Sequence, residues 1–244
     1  PPSFLLLWDR TKGTAGVKGV AAISSMPMYL NARAPHLKSL DDLKEGDKIA
    51  VTSVKSSIPS IVMQMYAVKK YGKDQAFRFD PYTVSMNHGD AAASLISGGG
   101  SIAAHYASSP LAQRELKSDA IRTIQNTDDV MGGSTTFTMV SATTRFHDEN
   151  PKVYAAFVAA LQEAQEMIKA DKNEAAKVLI ASMGGSGSIP DMIELLDDPS
   201  LKYTAKPENV MKYAQFMNEI KSIKNRPEKL EELFFPGPAV SAGN

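Results

Sequence analysis

Lys48-Ile-Ala-Val-Thr-Ser-Val-Lys-Ser-Ser-Ile-Pro-Ser-Ile-Val-Met-Gln-Met-Tyr-Ala-Val-Lys-Lys-Tyr-Gly72 is the stretch on which the fold turns. It reads as a strand, a tight turn and a helix. The apolar run Ile49 to Val51 is the strand. Ser56 or Ser57 can cap the helix, because a serine hydroxyl accepts from a free N–H one turn on. Pro59 then falls in the first turn, where its missing N–H costs nothing. Ile58, Ile61, Val62, Met65 and Val68 recur at helical spacing and predict one buried stripe. Gly72 can take the left-handed conformation that stops a helix. A strand feeding a Ser-Ser-capped helix gathers N–H groups, hydroxyls and a positive helix end at one point, which suits an anion. The same features also serve an ordinary αβ unit with a good cap, so by itself the stretch fixes local structure only.

Working outward, Val17 to Ser24 reads as a strand, and Met28 to Arg33 as a second one after Pro27. Ser39 opens a short helix with Asp42 as its capping-box partner. Phe77 to Val84 alternates and reads as a strand bent at Pro81. Asn87-His88-Gly89-Asp90 starts a helix carrying Ala91, Ala92, Leu95 and Ile96, and Gly98-Gly99-Gly100 ends it. Ile102 to Tyr106, Ile121 to Gln125 and Phe137 to Thr143 read as strands, and a polar helix runs from Ser108-Ser109-Pro110 to about Lys117. Beyond Asn150-Pro151 the pattern turns helical: 151–171, 173–182, 190–196 and 207–223, with Phe234-Phe235 docking the end. Strands alternating with helices predict an α/β fold with mostly parallel sheets.

Composition excludes several classes. The chain has 244 residues, 43% hydrophobic and 22% charged, enough for a substantial core. Lys plus Arg and Asp plus Glu are 27 each, so no basic field argues for nucleic acid. There is no cysteine, which removes disulfides, thiolate nucleophiles and cysteine-ligated metals and fits an oxidising compartment. No run approaches a membrane span; Phe4 to Trp8 is apolar but short. His36, His88, His105 and His147 show no metal-ligand spacing, and neither a phosphate-loop fingerprint nor a serine-nucleophile elbow occurs. His88 at a helix start and His105 beside Tyr106 at a strand end both project toward the carboxyl edge of a parallel sheet, where ligands bind. Three donor-bearing turns remain: Ser56-Ser57, His88-Gly89-Asp90 and Gly133-Ser134-Thr135. Converging donors without a nucleophile or metal point to binding, with no enzyme activity and no cofactor.

Ser39-Leu-Asp-Asp-Leu-Lys-Glu-Gly-Asp-Lys-Ile-Ala-Val51, His88-Gly-Asp-Ala-Ala-Ala-Ser-Leu-Ile-Ser-Gly98 and Phe146-His-Asp-Glu-Asn-Pro-Lys-Val-Tyr-Ala-Ala-Phe157 resemble signatures of the solute-binding proteins of bacterial ABC importers. The nitrate, sulfonate and taurine group is the nearest in pattern, and it includes binders of thiamine pyrimidine precursors. The resemblance implies a two-lobe periplasmic binding protein type II fold that closes on a small-molecule ligand. Lobe two would span 37–133 and lobe one 1–36 plus 134–244, with Met28 to Ala34 and Thr136 to Thr143 as crossings. Pro1-Pro2-Ser3-Phe4-Leu5 resembles sequence downstream of the family's first strand–helix–strand unit, so lobe one would lack that unit. Carried over, ligand contacts fall at Ser25, Met26, Ser56, Ser57, His88, Asp90, His105, Tyr106, Ser134 and Thr135. The resemblance further implies an importer permease as partner, a monomer, no nucleic acid, and a periplasmic or lipid-anchored extracellular location. The alternative it allows is a binder or biosynthetic enzyme of the thiamine pyrimidine precursor; that enzyme's cysteine-rich iron motif has no counterpart in this chain.

Overall fold

The structure, a computed structural model, describes residues 1–100 and 102–244. Pro2 opens helix α1 (Pro2–Thr11), and Phe4, Leu5 and Trp8 lie on its buried face. The apolar run at Phe4–Trp8 is thus the inner stripe of an amphipathic helix. Strands β1 (Val17–Ser25) and β2 (Tyr29–Ala32) follow, then β3 (Ile49–Val51), α2 (Ile58–Tyr71), β4 (Thr83–Ser85), α3 (His88–Ser97), β5 (Ala104–Ala107), α4 (Leu111–Leu116), β6 (Arg122–Asn126), α5 (Thr127–Met131) and β7 (Thr136–Thr143). The rest is mainly helical: α6 (Thr144–Glu149), α7 (Pro151–Ala170), α8 (Lys172–Ser182), α9 (Ile189–Asp197), β8 (Lys202–Tyr203), α10 (Val210–Glu219), α11 (Leu230–Leu233) and α12 (Pro238–Ser241).

The strands form two sheets, of order β7-β1-β8 and β4-β3-β5-β2-β6. The expectation of mostly parallel sheets is corrected. Among the strands of the described residues only β3 pairs in parallel, with β4 and β5; β2 runs antiparallel to β5 and β6, and β1 antiparallel to β7 and β8. The reason is that the chain changes sheet twice, so β2 and β7 each enter a sheet from the opposite end. β2 is hydrogen-bonded on both sides within the five-stranded sheet, and β7 lies wholly within the three-stranded one. The passages between sheets are therefore the short segments around Met26–Met28 and Gly132–Thr135. The first is stitched to the start of α5: Met28 N donates to Thr127 Oγ1 and Thr127 N to Met28 O, each at 2.9 Å.

Local expectations hold where the cap chemistry is explicit. Ser39 and Asp42 make the capping box, around a single 3₁₀ turn. Gly98 ends α3 in the left-handed conformation, and the Arg33 guanidinium covers it, donating to the Leu95 and Ile96 carbonyls. The strand expected at 77–84 shrinks to Thr83–Ser85. Pro81 has no N–H to give a ladder and lies in a 3₁₀ turn, and Phe79 folds back against Tyr66 and Tyr71. Helix α2 buries more than the expected single stripe. Ile61, Val62 and Met65 pack with α1 and α10 residues such as Leu5, Trp8, Tyr213 and Met217, whereas Met63 and Ala67 pack on the five-stranded sheet. In α7 the inner face is Tyr154, Val158, Leu161 and Gln165, leaving Val153, Phe157 and Met167 exposed. The Phe234-Phe235 pair docks as expected, both rings buried, with His147 stacked on Phe235 at 4.2 Å.

Candidate functional site

Parallel strands β3 and β4 end on the same side of their sheet, and each feeds a helix. Ser57 caps α2, accepting from Ser60 N, and Asn87 caps α3, accepting from Asp90 N. Pro59 has no N–H and the caps take those of Ser60 and Asp90, so among the described residues Ile58 N on α2 and His88 N and Gly89 N on α3 are left without a carbonyl where the strands stop. Across a cleft of about 380 Å³ lies the start of α1, with Pro2, Ser3 and Phe4. The second sheet contributes Phe137, Thr138 and Met139 of β7, and Met28 sits at the crossing. On the five-stranded side the cleft is lined by Thr52, Ser53, Ser57, Ile58, Pro59 and His88. Helix starts from both sides, three hydroxyl residues at one corner and one imidazole thus surround a space bounded by apolar groups. That composition is chemically able to hold a small polar or anionic molecule by hydrogen bonds and dipoles.

Of the ten residues expected from sequence, Ser57 and His88 line this cleft. Ser56 sits beside it with its hydroxyl engaged by Ser53 at 2.8 Å. Asp90 is exposed and bonded to Asn87, so it closes the cap of α3. Tyr106 is fully buried with its hydroxyl donating to Gln125 Oε1 at 2.6 Å. Ser25 is buried with its hydroxyl unpartnered among the described residues, and Met26 is half-buried at the crossing. Ser134 donates to Glu208 Oε2 at 2.9 Å and Thr135 is buried; that turn ties the second crossing to the loop before α10. His105 is buried directly behind His88, its Nε2 at 2.9 Å from His88 Nδ1.

Burial lowers the His88 pKa, as does the neighbouring His105 imidazole, while Glu115 pulls the other way. Glu115 was not singled out from sequence. It sits on the same face of α4 as Ala112, and a glutamate on the inward face of a short helix is the signal that marks it. The α1 start and β7 were likewise missed as cleft walls. The Pro-Pro-Ser start ahead of an apolar run was the available cue for α1; β7 carries no cue of its own.

A wider groove of about 1180 Å³ runs between α4 and α9. Its walls are the exposed tips of Arg114 and Lys117 on one side and Asp191, Glu194 and Asp198 on the other. Leu111, Met183, Met192, Ile193 and Leu195 line it as well, and no imidazole among the described residues does, which sets it apart from the smaller cleft.

No family model and no curated protein matches the sequence. Solved structures do match. The chain is similar to the periplasmic aliphatic sulphonate binding protein SsuA from Escherichia coli, at 16% identity and a TM-score of 0.60, over 96% of this chain and 73% of that one. It is also similar to a zinc-bound ligand-binding component of an ABC-type import system from Staphylococcus aureus, at 14% and 0.62, over 99% and 79%. A third is an ABC transporter protein from Parabacteroides distasonis, at 14% and 0.55, over 100% and 85%. At such identities the likeness is one of fold: the chain has the α/β fold of periplasmic binding proteins.

Proposed function

We propose that the chain is the substrate-binding component of an ABC-type import system, capturing a small anionic solute that carries a sulfonate, nitrate or similar oxyanion group. The observation that carries this reading is the cleft between the two sheets, where the starts of α1, α2 and α3 meet with Ser53, Ser57 and His88. A helix start stabilises a nearby anion by about 0.3–1 kcal/mol when exposed and up to about 2 kcal/mol when partly buried. Residues from three helix starts line this one cleft, which supports an anion held without any catalytic side chain. In this reading residues 37–133 form one lobe and 1–36 with 134–244 the other, except that β2, expected in the second of these, joins the sheet of the first. Closure of one on the other excludes water and strengthens every polar contact. The E. coli and S. aureus proteins similar in fold are ligand-binding components by name, which supports the class. The reading places the chain outside the cytoplasm, periplasmic or lipid-anchored, delivering to a permease; no helix among the described residues is long and apolar enough to cross a membrane.

Isothermal titration with methanesulfonate, taurine, nitrate and a substituted aminopyrimidine tests it. Saturable binding of at least one anion, weakened by His88→Ala, is the expected result. Binding of none overturns the reading, and binding of the pyrimidine alone moves the assignment to thiamine-precursor capture.

A further inference from the structure

His88 is the outer end of a buried polar chain. Its Nδ1 lies 2.9 Å from His105 Nε2, and His105 Nδ1 lies 2.6 Å from Glu115 Oε1. Glu115 Oε2 accepts from Asn31 Nδ2 at 2.8 Å. Asn31 cannot turn over, because the same Nδ2 donates to the Ala112 carbonyl and its Oδ1 accepts from the Thr123 hydroxyl at 2.7 Å. Asn31 and Glu115 are 0% exposed and His105 is 1% exposed.

A carboxylate this deep, with no lysine or arginine among its hydrogen-bond partners in the described residues, is costly as a bare anion. One proton shared among Glu115, His105 and His88 makes the set neutral, and it has three places to sit. On Glu115, the acid O–H donates to His105 Nδ1; His105 then carries its hydrogen on Nε2 and donates to His88 Nδ1, so His88 keeps its own hydrogen on Nε2. On His105, both ring nitrogens donate and His88 is again protonated at Nε2. On His88, both of its nitrogens carry hydrogen. Every neutral arrangement therefore leaves an N–H at His88 Nε2, the ring nitrogen not engaged with His105. Only an uncompensated buried anion leaves that nitrogen bare.

We propose that Glu115 and His105 are positioning residues that hold His88 as a hydrogen-bond donor toward the cleft, so that this wall selects an oxyanion acceptor over a ligand offering an amine or amide N–H. The selectivity rests on the cleft being the ligand site; the proton placement is a property of the ligand-free chain and is measured separately.

The test is ¹⁵N NMR of the histidine rings near neutral pH, on the whole chain without ligand, with His88 assigned by the signals lost in His88→Asn. The expected result is a protonated Nε2 on His88 and an acceptor Nδ1. Glu115→Gln keeps this pattern, because Asn31 holds the amide oxygen on its own side and turns the NH₂ toward His105 Nδ1. Glu115→Leu releases His105, and His88 becomes a mixture of tautomers. A bare Nε2 in the native chain or in Glu115→Gln overturns the proposal, as does an unchanged tautomer in a folded Glu115→Leu. If Glu115→Leu does not fold, the native chain and Glu115→Gln still decide. In titration with methanesulfonate, Glu115→Gln stays within about 3-fold of the native affinity and Glu115→Leu loses roughly 10- to 100-fold, the scale of a hydrogen bond to a charged acceptor. If the native chain binds no anion while the tautomer is as expected, the ligand reading fails and the proton placement stands.

Discussion

Gly19→Ala places a methyl group where the Phe234 ring already lies. A Cβ at Gly19 would stand 2.4 Å from Phe234 Cδ1 and Cε1 and 3.0 Å from Cγ. Carbon atoms pack at about 3.5–4.0 Å, so the ring must retreat by more than about 1 Å. It has nowhere to go: Phe234 is fully buried, with Phe4 on it at a centroid distance of 5.7 Å and Leu5, Trp8 and Tyr213 in the same core. Nor can the strands part, because Phe235 N donates to Gly19 O at 2.9 Å and Gly19 bridges to Phe234. Overpacking of this kind costs about 1–3 kcal/mol. Alanine recovers about 0.4–1 kcal/mol through a less flexible unfolded chain. Taking the middle of each range, the expected net loss is about 1.3 kcal/mol, or roughly 3–5 °C in Tm at this chain length. Thermal and urea unfolding followed by circular dichroism read it, with an unchanged urea slope. Phe234→Leu in the same chain should relieve part of the clash, so the double variant loses less than the two single losses added. An unchanged or raised Tm in Gly19→Ala, or strict additivity with Phe234→Leu, would refute the reasoning.

Ser57→Ala removes the acceptor at the start of α2 and should cost about 0.5–2 kcal/mol of stability; anion affinity should fall with it, and unchanged affinity in titration would mean that the hydroxyl is only a cap. Gly98→Ala forces a side chain into a backbone at φ +70° and into the space of the Arg33 guanidinium, 2.4 Å away, so urea unfolding should show a loss of about 1–2 kcal/mol. The half-buried Asp128 carboxyl is pushed from 3.8 up to about 6 by burial, with Lys202 opposing and Asp129 and Glu208 adding. The native state then holds this proton more tightly than the unfolded chain, so the contribution falls as pH rises from the unfolded value to about 6 and stays lost above it. Asp128→Asn should accordingly raise stability by up to about 1 kcal/mol above about pH 7, after allowance for solvent screening, and by little near pH 4, as urea unfolding at the two pH values would show.

What was legible in the sequence was local. The caps at Ser39, Ser57 and Asn87, the stop at Gly98 and the strand-to-helix step from Ile49 to Tyr71 each depend on residues close in sequence, and each forms as read. Sheet direction was not legible, because it depends on where the chain changes sheet, and Met26-Pro27-Met28 carries no mark of that. Of the candidate site, two lining residues were legible. Ser57 and His88 sit at helix starts, where the backbone itself announces donors. Thr138 and Phe137 line the cleft only because β7 pairs with β1, a fact of register. The polar chain behind His88 joins Asn31, His105 and Glu115 from β2, β5 and α4, spaced too widely for any motif; its trace in the sequence is a polar residue at an inward position of each element. Tyr106, one residue from His105, reaches across β2 to Gln125 on the edge strand β6, so alternation along β5 separates the two.

Helix α2 constrains how any closure can proceed. Its start lines the cleft, yet Ile61, Val62 and Met65 are buried against α1 and α10, on the side of the three-stranded sheet, while Met63 and Ala67 are buried on the five-stranded sheet. Pulling the two sheets apart would expose the first three side chains, at about 1.5–3 kcal/mol each, or roughly 4–9 kcal/mol together. A ligand that moves a two-state equilibrium from almost wholly open to almost wholly closed supplies about 5.5 kcal/mol. The two figures are comparable, so an opening that detaches α2 would consume most of the binding energy in re-covering apolar surface. Motion that pivots on α2 and keeps those side chains covered does not carry that cost. The pivot then lies beside the stitched pair Met28 and Thr127, next to α5, which also packs on α2. Under the proposed closure, movement would be concentrated at the far edge of the cleft, between the α1 start and the turn bearing Ser53. Hydrogen exchange with and without a bound anion should show protection gained at Ser53–Ser57 and at the start of α1, and none at Ile61–Met65; protection gained equally along α2 would mean that the helix detaches after all.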